Sequence, residues 1–208
     1  VHIKTENQLS EATSFHWHGV KLPSDMDGGP HHPVGPNETM QVDFTVNQEA
    51  ATLWFHPHAL GTTAEQVYAG LAGLIFVEDD NSDQLDLPKD YGVNDFPLII
   101  QDRTFDADNQ FDYAGTYNPD GTYGDTLLIN GTINPYVEVT NELVRLRLVN
   151  GSNARNYTFG LENGAVFNQI ASDGGFLEQP VALTSVTLTP GERAEIIVDL
   201  SGYAEGDT

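Results

Sequence analysis

Leu143-Val144-Arg145-Leu146-Arg147-Leu148-Val149 alternates apolar and charged side chains and runs straight into the turn cluster Asn150-Gly151-Ser152. Successive side chains of an extended chain point to opposite faces, so this period of two predicts a strand with one buried face. Met40-Gln41-Val42-Asp43-Phe44-Thr45-Val46 and Ala194-Glu195-Ile196-Ile197-Val198-Asp199-Leu200 repeat the pattern. Between such runs lie turn clusters, among them Asp27-Gly28-Gly29-Pro30, Asn118-Pro119-Asp120-Gly121 and Asp173-Gly174-Gly175. Their density is that of a sandwich or barrel of short antiparallel strands, and helical periodicity is nearly absent, so the expected fold class is all-β. Thr62 to Gly70 is the exception, with helix-forming residues that predict one short helix ahead of a buried strand from Leu71 to Glu78.

The chain has 208 residues, above the usual single-domain size, and two small β domains are the starting expectation. The polar passage Asp79-Asp80-Asn81-Ser82-Asp83, then Leu87-Pro88-Lys89-Asp90, precedes a new apolar strand at Phe96-Pro97-Leu98-Ile99-Ile100. A boundary there divides the chain into residues 1–88 and 89–208. The second part is the size of one sandwich domain. The first is short for one and is expected to lack its opening strands, and the absence of an initiator Met reads as a fragment or a processed product.

Eight Lys and Arg stand against 31 Asp and Glu, a formal net charge of −23. A field of that sign repels nucleic-acid phosphate and anionic lipid and favours cations, although an acidic soluble surface alone accounts for it. No apolar run approaches the roughly 20 residues of a membrane span. There is no cysteine, so these residues can build no disulfide, no zinc-thiolate or iron–sulfur site, and no blue-copper site, which needs a thiolate.

Four of the seven histidines form two His-x-His pairs, His16-Trp17-His18 and His56-Pro57-His58. Residues i and i+2 of a strand point to the same face roughly 6–7 Å apart, so each pair presents two imidazoles in one direction, to one metal ion or to two neighbouring ones. Four imidazoles without a thiolate suit copper, zinc or iron, and ligand type alone does not choose among them.

Sequence context does. Phe15-His16-Trp17-His18-Gly19-Val20 and Leu53-Trp54-Phe55-His56-Pro57-His58, followed by the run from Tyr68 to Asp79, resemble the first two copper-binding motifs of the multicopper oxidases, with bacterial copper-efflux oxidases the nearest and laccase and bilirubin oxidase further off. The resemblance continues through Asp25 to Pro30, Gly124 to Gly131, Arg145 to Arg155 and Ile170 to Gly175, and so covers nearly the whole chain. It implies two cupredoxin-like Greek-key β-sandwich domains, of which the second carries no metal ligands. It also implies that His16 binds the type 2 copper, that His18, His56 and His58 bind the type 3 coppers, and that Asp27 relays protons to oxygen. A carboxylate suits that task, because reducing dioxygen to water consumes protons. By itself, however, Asp before Gly-Gly-Pro is an ordinary turn residue.

In that family a reducing substrate, cuprous ion or a phenol, gives electrons to a blue copper, and the type 2 and type 3 coppers reduce dioxygen. The expectation is that this chain supplies half of the three-copper cluster and is inactive alone, its partner being a missing third cupredoxin domain or a second chain. The alternative is a copper-binding or scaffold module without turnover. A zinc hydrolase disagrees with the all-β pattern. A periplasmic or extracellular location rests on the resemblance alone. Trp17 and Trp54 are expected on the opposite face from the imidazoles, His31-His32 in a surface loop, and Met26 and Met40 are too few for a thioether copper track.

Overall fold

The computed structural model describes residues 1–116, 118–140, 142–204 and 206. As the alternating runs predict, its regular secondary structure is mostly strand. In chain order the first part contains β1 (His2–Glu6), β2 (His16–His18), β3 (Thr39–Asp43), β4 (Ala51–His56), helix α1 (Thr63–Tyr68), β5 (Gly73–Val77) and helix α2 (Asp80–Gln84). Then follow β6 (Asp95–Arg103), helix α3 (Tyr113–Thr116), β7 (Thr126–Ile129), β8 (Thr132–Ile133), β9 (Leu143–Asn150), β10 (Tyr157–Phe159), β11 (Phe167–Ser172), β12 (Gly175–Leu183), β13 (Val186–Leu188) and β14 (Arg193–Asp199).

β1 pairs with β3, and β2-β4-β5 form a three-stranded antiparallel sheet. The later strands form a seven-stranded sheet in the order β12-β11-β14-β9-β6-β7-β8, with only β6 and β9 parallel, and a separate β10-β13 pair. Among the described residues, no sheet joins a strand before residue 78 to one after residue 94. The predicted helix forms as α1. The polar passage after β5 folds into α2, closed by a capping box in which Asp79 and Ser82 exchange hydrogen bonds.

β9 and β14 differ from the one-sided strands that their sequences predict, because both of their faces are buried. On one face Leu148, Ala194, Ile196 and Val198 join Ile100, Phe167 and Leu188 in the apolar core, with Tyr157, Phe159 and Val186 of β10 and β13 packed against it. On the other face the charged residues Arg145, Arg147, Glu195 and Asp95 are each at most 5% exposed. Burying four charges costs several kcal/mol each unless they are paired and hydrogen-bonded. Here they are. Arg147 Nε and Nη2 donate to Asp95 Oδ1 and Oδ2 at 2.8 and 2.6 Å, and Arg145 grips Glu195 Oε2 through Nε, at 2.8 Å, and Nη2.

The network reaches the first part of the chain through Thr52 of β4. Its hydroxyl donates to Glu195 Oε1 at 2.7 Å and accepts from Arg147 Nη1 at 3.1 Å. Phe76 of β5 lies against the same guanidinium, 4.5 Å from Arg147 Cζ to the ring centroid. A second tether is Arg103 of β6, 1% exposed, which donates to the Val67 carbonyl in the last turn of α1 and lies beneath the Tyr68 ring. A cation at a helix C-terminus is favourably placed against the unsatisfied carbonyls there.

Removing one partner of a buried ion pair strands the other, whereas replacing the whole pair with apolar groups of similar volume is far less costly. Arg147→Ala or Asp95→Ala is therefore expected to lower unfolding free energy in urea by about 3–5 kcal/mol, and the double variant Arg147→Met/Asp95→Leu by less than either. Equal losses in all three would contradict this account of the network.

Candidate metal centre

β2 and β4 pair antiparallel with His16 opposite His56, Trp17 opposite Phe55 and His18 opposite Trp54. That register puts the two histidines of β2 and the terminal histidine of β4 on one face of the sheet. β4 is rich in β-branched and aromatic residues, and Pro57, which has no N–H to donate, follows its last residue. His58, just beyond, is held by its backbone N–H donating to Ser14 Oγ at 2.8 Å. The ring centroids of His16 and His56 are 5.2 Å apart and those of His18 and His56 5.3 Å apart, while His58 lies 5.1 Å from His16 and 5.9 Å from His56. The structure thus gathers all four predicted imidazoles in one place.

Their neighbours decide which nitrogens are available. His16 Nδ1 lies 3.0 Å from the Asp27 carbonyl, and His56 Nδ1 lies 2.8 Å from the Pro57 carbonyl. A carbonyl can only accept, so in both rings Nδ1 carries the proton and Nε2 presents its lone pair. His56 Nε2 faces Nδ1 of His18 at 3.1 Å. Because His56 Nε2 offers a lone pair, His18 Nδ1 is the donor in that contact. His18 through Nδ1 and His56 through Nε2 would be the residues to hold a metal ion here, once that proton is released. One nitrogen from each of His16, His18 and His56 falls within 4.8 Å of the other two. An all-imidazole donor set of this size fits copper, although ligand type also admits zinc or iron.

Asp27 is placed beside the cluster, its Oδ1 3.2 Å from His16 Nδ1. Its loop presses against the start of β2 so closely that a Cβ at Gly28, where φ is +66°, would fall 1.9 Å from the Phe15 carbonyl oxygen. Only glycine allows that approach. The orientation of His16 by an outer carbonyl and carboxylate is the arrangement that fixes metal-ligating imidazoles.

Trp54 corrects the sequence reading. Its ring lies 4.3 Å from that of His56 and 5.3 Å from that of His18, on the imidazole face. The reason is parity: Trp54 and His56 are two residues apart on one strand and share a face. Trp17 does lie opposite, 6.0 Å from Phe55 and 5% exposed. His31 and His32 sit in a turn, with His31 exposed. Sequence reading also missed the second part's contribution. Arg193 of β14, 4% exposed, donates to the Thr52 carbonyl at 3.2 Å, and its charge acts on His18. No spacing rule links residue 193 to residue 18, so only the alternation around it was available as a signal.

Burial pushes His18 down to about 4, helped by the charge of Arg193 and by neighbouring His16 and His58. Burial likewise brings His56 to about 4, opposed by its bond to the Pro57 carbonyl and reinforced by the other imidazoles. Both rings are therefore neutral near pH 7, the form that binds metal.

Multicopper oxidase family models match residues 1–82 and 94–207. A multicopper oxidase from Staphylococcus aureus is 46% identical over 205 residues, covering 99% of this chain and 45% of the relative. The cell division protein FtsP of Escherichia coli is 44% identical over 204 residues, covering 96% and 42%. The crystal structure of a laccase from Pediococcus acidilactici superposes with a TM-score of 0.96 at 45% identity, covering 99% of this chain and 45% of that one. The chain belongs to the multicopper oxidase family, and its sheets are of the cupredoxin type. It spans a little under half the length of the curated relatives it matches.

The two depressed histidines have a measurable consequence. Unfolded, they take up protons near pH 6.5; folded, only near 4. Between those values the unfolded state binds more protons, so their contribution to stability is full above the upper one and is lost as pH falls towards the lower. The urea midpoint of the metal-free chain is expected to fall through that window. A His18→Ala/His56→Ala variant should show a shallower fall, and an unchanged slope would mean that these two rings are not neutral when folded.

Proposed function

We propose that this chain supplies His16, His18, His56 and His58 to the three-copper cluster of an oxidase that couples one-electron oxidation of a reducing substrate, cuprous ion or a phenol, to reduction of dioxygen to water. The observation that carries this reading is the meeting of His18 Nδ1 and His56 Nε2 at 3.1 Å from two different strands, with His16 presenting Nε2 beside them. In this assignment His16 takes the type 2 position, and His18, His56 and His58 take type 3 positions. Copper, when bound, supplies the one-electron redox chemistry. The protein's part is to hold these imidazoles together, with donor nitrogens of His16, His18 and His56 gathered close to one another, and to bring protons. Asp27 serves the second task, because Oδ1 beside His16 Nδ1 can hold a proton at the edge of the cluster and pass it inward.

The chain has no cysteine to bind a blue copper. We assign that site and the remaining cluster ligands to a third cupredoxin domain or a second chain, and residues 1–88 and 89–208 to two domains, the second without ligands. Export to the periplasm or beyond the cell belongs to the same proposal. A second reading, a copper-binding or scaffold module without turnover, draws support from the 44% identity to a protein named for cell division.

Copper stoichiometry, electron paramagnetic resonance and oxygen uptake with a phenol and with cuprous ion test the proposal on the purified chain. Expected are bound copper without a blue-copper signal, loss of that copper in His18→Ala and His56→Ala, and no oxygen uptake. Blue copper with turnover by the chain alone, or copper binding unaffected by both substitutions, would overturn it.

A further inference from the structure

His18 differs from His16 and His56 in facing the cluster with Nδ1. An imidazole that ligates through Nδ1, the nitrogen nearer its own backbone, must put Cε1 and Nε2 elsewhere, and that space is closed by the second part of the chain. Gly191, in the turn between β13 and β14, lies against this edge. A Cβ built there would be 3.3 Å from His18 Cε1, 3.8 Å from Nε2 and 3.8 Å from Cζ2 of Trp54. The first of these distances is tighter than ordinary van der Waals contact. Gly191 also has φ +87°, a conformation that favours glycine.

The turn is firmly held. Gly191 N–H donates to the Asn150 carbonyl at 2.8 Å, Glu192 N–H to Thr189 at 3.0 Å, and Asn150 N–H to Glu192 at 3.1 Å. The buried Arg193 guanidinium then ties it to the ligand sheet. Nη1 donates to the Gly191 carbonyl at 2.9 Å, Nη2 to the Asp173 carbonyl at 2.8 Å and Nε to the Thr52 carbonyl at 3.2 Å, while the Asp173 carboxylate lies 3.1 Å from Nη1. The ring of His18 is therefore confined between a fixed backbone wall, the tilted face of Trp54 and the lone pair of His56.

We propose that Gly191 is a positioning residue: its missing side chain makes room for the far edge of His18, so that Nδ1 and not Nε2 faces the histidine cluster. Any larger side chain at this point of the wall tilts the ring and weakens its hold on a metal ion. The inference rests on the reading of His18 as a copper ligand for its consequence, though not for the placement of the ring.

The test compares Gly191→Ala with Gly164→Ala, which imposes a similar backbone penalty at φ +69° with no atom within 4 Å of the added methyl. Nitrogen–proton two-bond correlation spectra of the metal-free chain report the tautomer of each imidazole, and titration with cupric ion reports affinity. Gly191→Ala is expected to shift or broaden the His18 signals and weaken cupric ion binding about tenfold or more, while Gly164→Ala changes neither. If Gly191→Ala does not fold, Gly191→Asn, which tolerates a left-handed backbone, is expected to show the same change at His18. Unchanged His18 signals in the folded Gly191 variants, or equal changes in Gly164→Ala, would overturn the proposal. Absence of cupric binding by the unaltered chain would overturn the copper reading instead, and the His18 signals of the metal-free chain would still decide the role of Gly191.

Discussion

Two buried arginines crossed with two buried carboxylates hold the structure in register. Arg147 is opposite Glu195 across the ladder, and Arg145 is opposite Asp95. The short contacts run along the diagonals, bidentate from Arg147 to Asp95 and with two donors on the single oxygen Oε2 from Arg145 to Glu195. The longer approaches, 3.7 and 3.9 Å, complete the square. Such a square has little tolerance for a slip of one residue, because moving any of β6, β9 or β14 by one position turns its charge into the apolar core on the other face. The network contributes specificity of register at least as much as stability, since buried ion pairs offset their desolvation only when the geometry is this complete.

The histidine cluster depends on the same square through one side chain. Thr52 hydrogen-bonds to Glu195 and Arg147 with its hydroxyl and to Arg193 with its carbonyl, which fixes the start of β4. Along that strand Trp54 and His56 follow at the two-residue interval and face the imidazoles of β2. Placement by strands determines where each ring lies, and carbonyls determine which nitrogen it offers: Asp27 for His16 and Pro57 for His56. Aiming imidazoles through backbone acceptors is well suited to metal binding, because the acceptors cannot rotate away or change protonation.

Much of this was legible beforehand. The period-two runs gave the strands of β3, β9 and β14, and the two His-x-His pairs named the four cluster residues. What was not legible was the use of the polar side of β9. Arg145 and Arg147 read as a solvent face because alternation reports polarity, and nothing local tells a hydrated arginine from one whose carboxylates arrive from positions 95 and 195. The misplacement of Trp54 was of another kind, since its separation from His56 already put it on the imidazole face. Gly191 lay beyond reach for a third reason, as a glycine's importance to a remote ring comes from an absent side chain and is visible only once the ring is in place.

The cations show how charge is divided between interior and surface. Of eight lysines and arginines, Arg103, Arg145, Arg147 and Arg193 are buried, and Asp95, Asp102 and Glu195 are buried with them. The interior is therefore close to neutral, and the formal charge of −23 resides almost wholly at the surface. That exterior retains only three lysines and the half-exposed Arg155, itself bound to Asp102 at 2.8 Å. Charges so unbalanced raise the local concentration of cations within about a Debye length, roughly 10 Å at 0.1 M salt. Cations are drawn towards such a surface, and anions are turned away. Inward-facing arginines thus do two things with one residue type: they lock the sheets together and leave the outside free to be uniformly acidic.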